Sequence, residues 1–221
     1  MKKSIVVLSF IALLGLCHFA TLQSALAAKP DTLNAEQAFQ HFGKAAAGDK
    51  KHTRKALAAF KALHENSPNN PLYLCYLGAS YTLLGRDGWN PLAKLDNTEK
   101  GLDLIDKAVA KLSAEHDLPR SNDIPISVAT RLSAVSTYLG VPGFFHRKQA
   151  AYSQAQLAIK TPNFTQLPAA IRAQLYLLGA KAAERNKHGV EAQRYLQGAI
   201  DSDPQSPQAN EARHLQQGAQ S

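Results

Sequence analysis

Residues 74–81 read Leu74-Cys75-Tyr76-Leu77-Gly78-Ala79-Ser80-Tyr81, and the stretch before them carries Ala56, then Phe60, then Pro68. Leu74, Leu77 and Tyr81 recur at helical spacing, as do Ala56, Phe60 and Leu63. Between the two runs lies Ser67-Pro68-Asn69-Asn70-Pro71, whose prolines and asparagines break a helix and turn the chain. Two amphipathic helices joined by a short breaker predict an antiparallel helical hairpin.

The same alternation extends both ways. Leu104, Ala108 and Leu112 form a third stripe, and Leu118 to Pro125, Gly140-Val141-Pro142-Gly143, Thr161-Pro162-Asn163 and Asp203-Pro204 are further breakers. Alanine, leucine, glutamine and lysine dominate, which are helix-forming preferences. Helices are expected at 34–48, 52–66, 70–84, 97–114, 124–139, 146–160, 167–185, 189–201 and 206–218. No segment reads as a strand, and no composition shift marks a second domain.

Leu74-x2-Leu77-Gly78-x2-Tyr81 resembles the first helix of a tetratricopeptide repeat, with leucine in place of the usual tryptophan. Ala56-x3-Phe60 and Pro68 resemble the second helix of the preceding unit and its closing proline, in the phase of a unit of about 34 residues. Ala192-x3-Leu196-x2-Ala199 with Pro204 matches again. Tyr176 then takes the large position, and Gly179, Ala180 and Ala183 the small ones. Gly101-x3-Ile105-x2-Ala108 is a third, partial match. The resemblance implies an all-α fold of antiparallel hairpins stacked into a right-handed α-solenoid, about four hairpins plus a C-terminal helix. It departs from the pattern twice. Leu77 and Ala108 are 31 residues apart, where a unit has about 20, which places an insertion near 86–97. Between 109 and 175 the register stays open.

The N-terminus reads as an address. Lys2 and Lys3 precede an apolar run from Ile5 to Leu16, and Ala25-Leu26-Ala27 ends the segment with small residues, as in a secretory signal peptide cleaved after Ala27 or Ala28. The run is shorter than the ~20 residues of a spanning helix, so no transmembrane anchor is expected after cleavage. Cys17 follows Leu16 rather than a small residue, which argues against lipidation. Residues 28–221 then form one tetratricopeptide-like domain, periplasmic or secreted. Cleavage removes two lysines and no acid, so 25 basic residues fall to 23 against 17 acidic, a charge of +6. That balance suits acidic partners or peripheral contact with an anionic envelope surface; nucleic acid is not expected for an exported chain. Lys50-Lys51 and Arg54-Lys55, the densest basic group, read as a solvated helix start. Cys75, alone after cleavage, reads as a small core residue.

The resemblance implies that the first helix of each pair lines a concave surface. Carried over, that surface includes Leu72, Cys75, Ala79 and Thr82, and then Gln174, Lys181 and Arg185. Trp89, the only tryptophan, lies in the insertion as a candidate contact, though plugging the end of a lengthened hairpin is the favoured reading. Phe144-Phe145-His146-Arg147 reads as a helix start that packs both phenylalanines inward. No catalytic, metal or cofactor motif appears. None of the eight histidines is paired as H-x3-H, and His41, His52 and His64 fall on different helical turns. The function expected is a protein-binding scaffold or adaptor in the cell envelope, not an enzyme, with no cofactor. The alternative is an envelope assembly factor or chaperone, for cytochrome maturation or for lipoprotein or polysaccharide export. A third reading builds a ligand or catalytic site on the insertion from Asp87, Trp89, His146 and Arg147.

Overall fold

A computed structural model describes residues 30–118, 124–162 and 164–218. The leader sequence expected at 1–27, Cys17 included, lies outside them. Among the described residues the chain forms nine α-helices packed in neighbouring pairs, with no strand: α1 (Pro30–Ala46), α2 (Lys50–Asn66), α3 (Pro71–Asp87), α4 (Pro91–Ala110), α5 (Ile126–Gly140), α6 (Lys148–Ile159), α7 (Ala169–Arg185), α8 (Gly189–Ser202) and α9 (Pro207–Gly218). None of these helices is long and apolar enough to cross a membrane. The chain divides into two compact units, with the boundary between Ile105 and Asp106, inside α4.

Local chemistry sets the helix starts. Asn70 accepts the Leu72 N–H at 3.0 Å and Asn90 accepts that of Leu92 at 2.9 Å, each with proline as the next residue. Ser206 accepts from Ala209 at 3.1 Å, ahead of Pro207. A short polar side chain satisfies an orphan N–H and the following proline has none to satisfy, so the pair starts a helix cleanly; such a cap contributes about 1 kcal/mol.

In unit 1, α1 pairs with α2 and α2 with α3 around an aromatic core. Phe60 is fully buried and stacks on Tyr76 at 5.0 Å, while Phe39 and Phe42 present their edges to both rings. The Arg86 guanidinium at the end of α3 donates to the Ala45 carbonyl at 2.8 Å, covering the C-terminus of α1, where a positive charge is favoured by the helix dipole. Against α4, α3 comes down to backbone contact. A Cβ added to Gly78 would lie 2.5 Å from the Gly101 carbonyl oxygen, and the converse holds for Gly101.

In unit 2, α5 pairs with α6, α6 with α7 and α7 with α8, and α9 closes on α8 and α7. Small and large residues interlock between α7 and α8. Tyr195 of α8 fills the space left by Gly179, and the Tyr176 ring of α7 lies over Gly198. Arg185, at the end of α7, donates to the Leu139 carbonyl near the end of α5 at 2.7 Å. This is the same device as Arg86 on α1.

The expected elements correspond to those found, with three differences. The helix expected at 97–114 begins at Pro91 and ends at Ala110, because Asn90-Pro91 is a cap and first-turn pair rather than part of a loop. The insertion at 86–97 is therefore helical for most of its length, at the end of α3 and the start of α4. The buried stripe of α4 is Leu102, Ile105 and Ala108, whereas Leu104 and Leu112 are only half-buried. The helix expected from 146 starts at Lys148, after a 3-10 turn at 143–145 and a left-handed His146.

Candidate functional site

The residues expected on a concave surface are mostly occupied. Leu72 is half-buried; Ala79 and Thr82 of α3 are buried where the resemblance leads one to expect concave surface, and Cys75 is buried in keeping with its reading as a small core residue rather than a surface one. The reason is the α3–α4 approach: a Cβ at Gly101 would meet the Thr82 methyl carbon at 2.6 Å, which places that side chain against α4, and the Thr82 hydroxyl donates to the Ala79 carbonyl. On α7, Gln174 is buried. Lys181 is paired with Glu211 of α9 at 2.7 Å, and Arg185 holds the Leu139 carbonyl. Both cations expected on that second surface, Lys181 and Arg185, are thus engaged within their own unit.

Trp89 stands in the opposite condition. It is 91% exposed, with Leu92 at 73% and Leu95 at 38%. Every residue from Trp89 to Asp96 is exposed. The indole does not plug the hairpin, because nothing there needs plugging. Gly85 and Gly88 let α3 run close along Thr98 and Lys94 of α4, and that approach leaves no room for a ring between the helices. Asp87, beside the tip, accepts from the Thr53 hydroxyl at 2.6 Å and pairs with Arg86 at 2.8 Å. Burial would raise its carboxyl, but these two bonds prevail and hold it below the usual carboxylate range.

A second exposed aromatic pair lies in unit 2. Phe144 is 64% exposed and Phe145 half-buried, with ring centroids 4.4 Å apart. The inward packing expected for both fails because α6 starts only at Lys148, leaving the phenylalanines on a 3-10 turn outside the helix. Arg147 supports this turn from behind. It donates to the Phe145 carbonyl at 3.2 Å and pairs with Asp106 at 3.0 Å, and Asp106 also accepts the Tyr138 hydroxyl. Of the four residues named for a site built on the insertion, Asp87 and Arg147 are therefore each bound to neighbours in their own unit, and Trp89 and His146 are exposed.

Two clusters escape a reading along the chain. His41 and His52 face each other across α1 and α2, ring centroids 5.2 Å apart, and His52 is held by Asp49 at 2.9 Å. Burial, then His52, lowers the pKa of His41. No group of three histidine, cysteine or acidic residues among the described residues is placed to hold a metal ion. In unit 2, the Glu191 carboxylate accepts from Tyr152, from Tyr195 at 2.7 Å and from Arg194 at 2.9 Å, with Gln156 beside it. It joins α6 to α8, and His188 stacks on Tyr152. These are packing devices, and the contacts that join two helices, such as Tyr152 to Glu191, 39 residues apart, are announced by no local pattern.

Burial first, then the bond to Glu191 and that carboxylate's charge, push the Tyr195 phenol from 10.0 up to about 12. An unfolded tyrosine ionises near 10 while the folded one keeps its proton. The stability from this group is therefore whole below pH 10 and is lost as pH rises towards about 12. The urea midpoint is expected to fall across that window, and Tyr195→Phe to flatten the fall. Parallel curves for the two proteins would show that the Tyr195 phenol does not set the fall.

Compared with family models, with curated proteins and with solved structures, the chain matches none of them.

Proposed function

We propose that this chain is an exported, tetratricopeptide-like adaptor of the cell envelope, which binds a protein partner and performs no chemistry of its own. The observation that carries the proposal is the packing at the glycines of the repeat pattern. Gly78 takes the small position of a first helix and Gly101 that of the second helix of the same unit, and the two abut in spite of the longer spacing between them. Tyr176 and Gly198, with Gly179 and Tyr195, meet in the same small-against-large manner near the C-terminus. Hairpins of this kind stack because one alone cannot bury its apolar face.

The contact with a protein is assigned to the Phe144–Phe145 turn. Aromatic side chains, phenylalanine among them, are enriched in protein interfaces; Phe144 is exposed, and Arg147, paired with Asp106, holds the Phe145 carbonyl beside it. A photo-crosslinking residue at position 144, introduced in the native cell, is expected to give one dominant protein adduct in the envelope fraction. Phe144→Ala is expected to weaken that complex by about tenfold or more. Many adducts with unfolded clients would move the reading to an assembly factor, and no adduct from position 144 would remove this contact.

A further inference from the structure

We propose that the α3–α4 end of unit 1 docks on the surface of an anionic lipid bilayer, with Trp89, Leu92 and Leu95 entering the headgroup boundary. The shape of the tip comes first. Trp89 to Asp96 are all exposed, apart from the side on which Lys94 packs against Gly85 and Gly88, so the apolar side chains stand out at the end of the hairpin. Its three large side chains leave roughly 400 Å² of apolar surface, given that a whole aromatic side chain buries 150–250 Å². Two copies meeting tip to tip would bring the lysines and arginines beside the tip against those of the second copy, and that like-charge juxtaposition opposes a dimer here. A bilayer needs no matching pocket and accepts a convex apolar tip, and tryptophan is enriched at the headgroup level.

The charge around the tip is the second, independent observation. Arg86 bonds the end of α1 and Asp87 bonds Thr53 of α2, which puts the end of α1 and the start of α2 beside the tip. That end carries Lys44, Lys50, Lys51, Arg54, Lys55 and Lys94, all exposed. Apart from the mutually paired Arg86 and Asp87, only Asp49 and Asp96 oppose them, an excess of four positive charges. Four of the cations sit in the first two turns of α2, with no acid in the first turn, where the helix dipole disfavours positive charge. Within the fold Asp49 and Asp87 offset part of this charge, and an anionic surface would offset the rest. An apolar insertion and a polybasic patch, each marginal alone, together give stable membrane attachment.

Trp89 is the only tryptophan, so its emission reports this tip and nothing else. The purified full chain, in whatever processed form the cell yields, is titrated with vesicles of phosphatidylcholine alone and of phosphatidylcholine with phosphatidylglycerol. With the anionic vesicles the emission is expected to shift to the blue, and to be quenched by acyl chains brominated near the headgroup. Salt is expected to weaken the response. Leu92→Asp, and Lys51→Glu with Arg54→Glu, change exposed side chains and are expected to keep native helicity. Each variant is expected to lower the apparent affinity by about tenfold or more. Unchanged emission with anionic vesicles would overturn the proposal, as would an equal response to phosphatidylcholine alone. Chain that sediments with vesicles while Trp89 stays unshifted and unquenched would also overturn it, since the attachment would then lie elsewhere. The proposal is separate from the protein contact at Phe144, whose crosslink it neither needs nor excludes. A protein crosslinked from position 92, without a vesicle response, would assign the tip to a protein and end the bilayer reading.

Discussion

Gly101→Ala is expected to destabilise the protein by about 3 kcal/mol, a large effect for adding one methyl group. The substitution should favour the helix, because alanine exceeds glycine in helix propensity by about 1 kcal/mol. The new Cβ would lie 2.5 Å from the Gly78 carbonyl oxygen and 2.8 Å from the Thr82 amide nitrogen. Both are backbone atoms of α3, so no side-chain rotation relieves the clash and the two helices must part. Their separation opens the contact that buries Leu102 and Ile105, which are among the largest fully buried side chains. Gly140→Ala is the control. Gly140 ends α5 with nothing within 4 Å of an added Cβ, so propensity alone decides there, and the change is expected to be neutral or stabilising by a few tenths of a kcal/mol. Chemical denaturation of the two variants measures the difference directly. If Gly101→Ala matched Gly140→Ala, the close α3–α4 approach, and with it the repeat-like register, would be wrong.

The two positions also mark how far the sequence could be read. That Gly78 and Gly101 are special is legible from the repeat pattern, although eleven more residues separate them than a standard unit would have. The helical state of those extra residues is signalled by Asn90-Pro91, a cap followed by a first-turn proline. Gly85, Gly88 and Pro91 mask that signal, because by composition they read as loop residues. The two glycines instead serve close helix contact. Helix existence and most boundaries follow from apolar spacing and breakers, as at α2 and α8. What spacing along one helix does not contain is which residues meet across helices. His41 and His52 are eleven residues apart and on no common turn, yet the α1–α2 reversal brings their rings together. Cys75 and Ala79 are helical and apolar in either reading; only the number of helices packed around α3 decides that they are buried. Trp89 is the converse case. Its composition favours burial, and the tightness of the glycine contact beneath it sends it outwards.

Phe60→Ala is expected to cost about 3–5 kcal/mol, the largest loss from a single side-chain truncation in unit 1. Phe60 is fully buried, and with Tyr76 it is one of the two rings that meet all the others of the Phe39–Phe42–Phe60–Tyr76 cluster. It stacks on Tyr76 at 5.0 Å and takes edges from Phe39 at 5.2 Å and Phe42 at 6.2 Å. Truncation removes the transfer free energy of the ring and leaves a cavity walled by rigid rings, which cannot collapse as flexible aliphatic side chains would. Phe60→Leu separates the two contributions. Leucine fills much of the volume but offers no ring quadrupole to the edges of Phe39 and Phe42, so about 1–2 kcal/mol is expected from lost aromatic geometry and imperfect fit. Tyr76→Phe, which keeps the ring and so the stack, is expected to cost far less than Phe60→Ala, whereas Tyr76→Leu removes the stack and tests whether it carries the core. A Phe60→Leu loss as large as that of Phe60→Ala would mean that ring geometry rather than volume holds α1, α2 and α3 together. A Phe60→Ala loss below about 1 kcal/mol, typical of a partly exposed site, would refute the aromatic core.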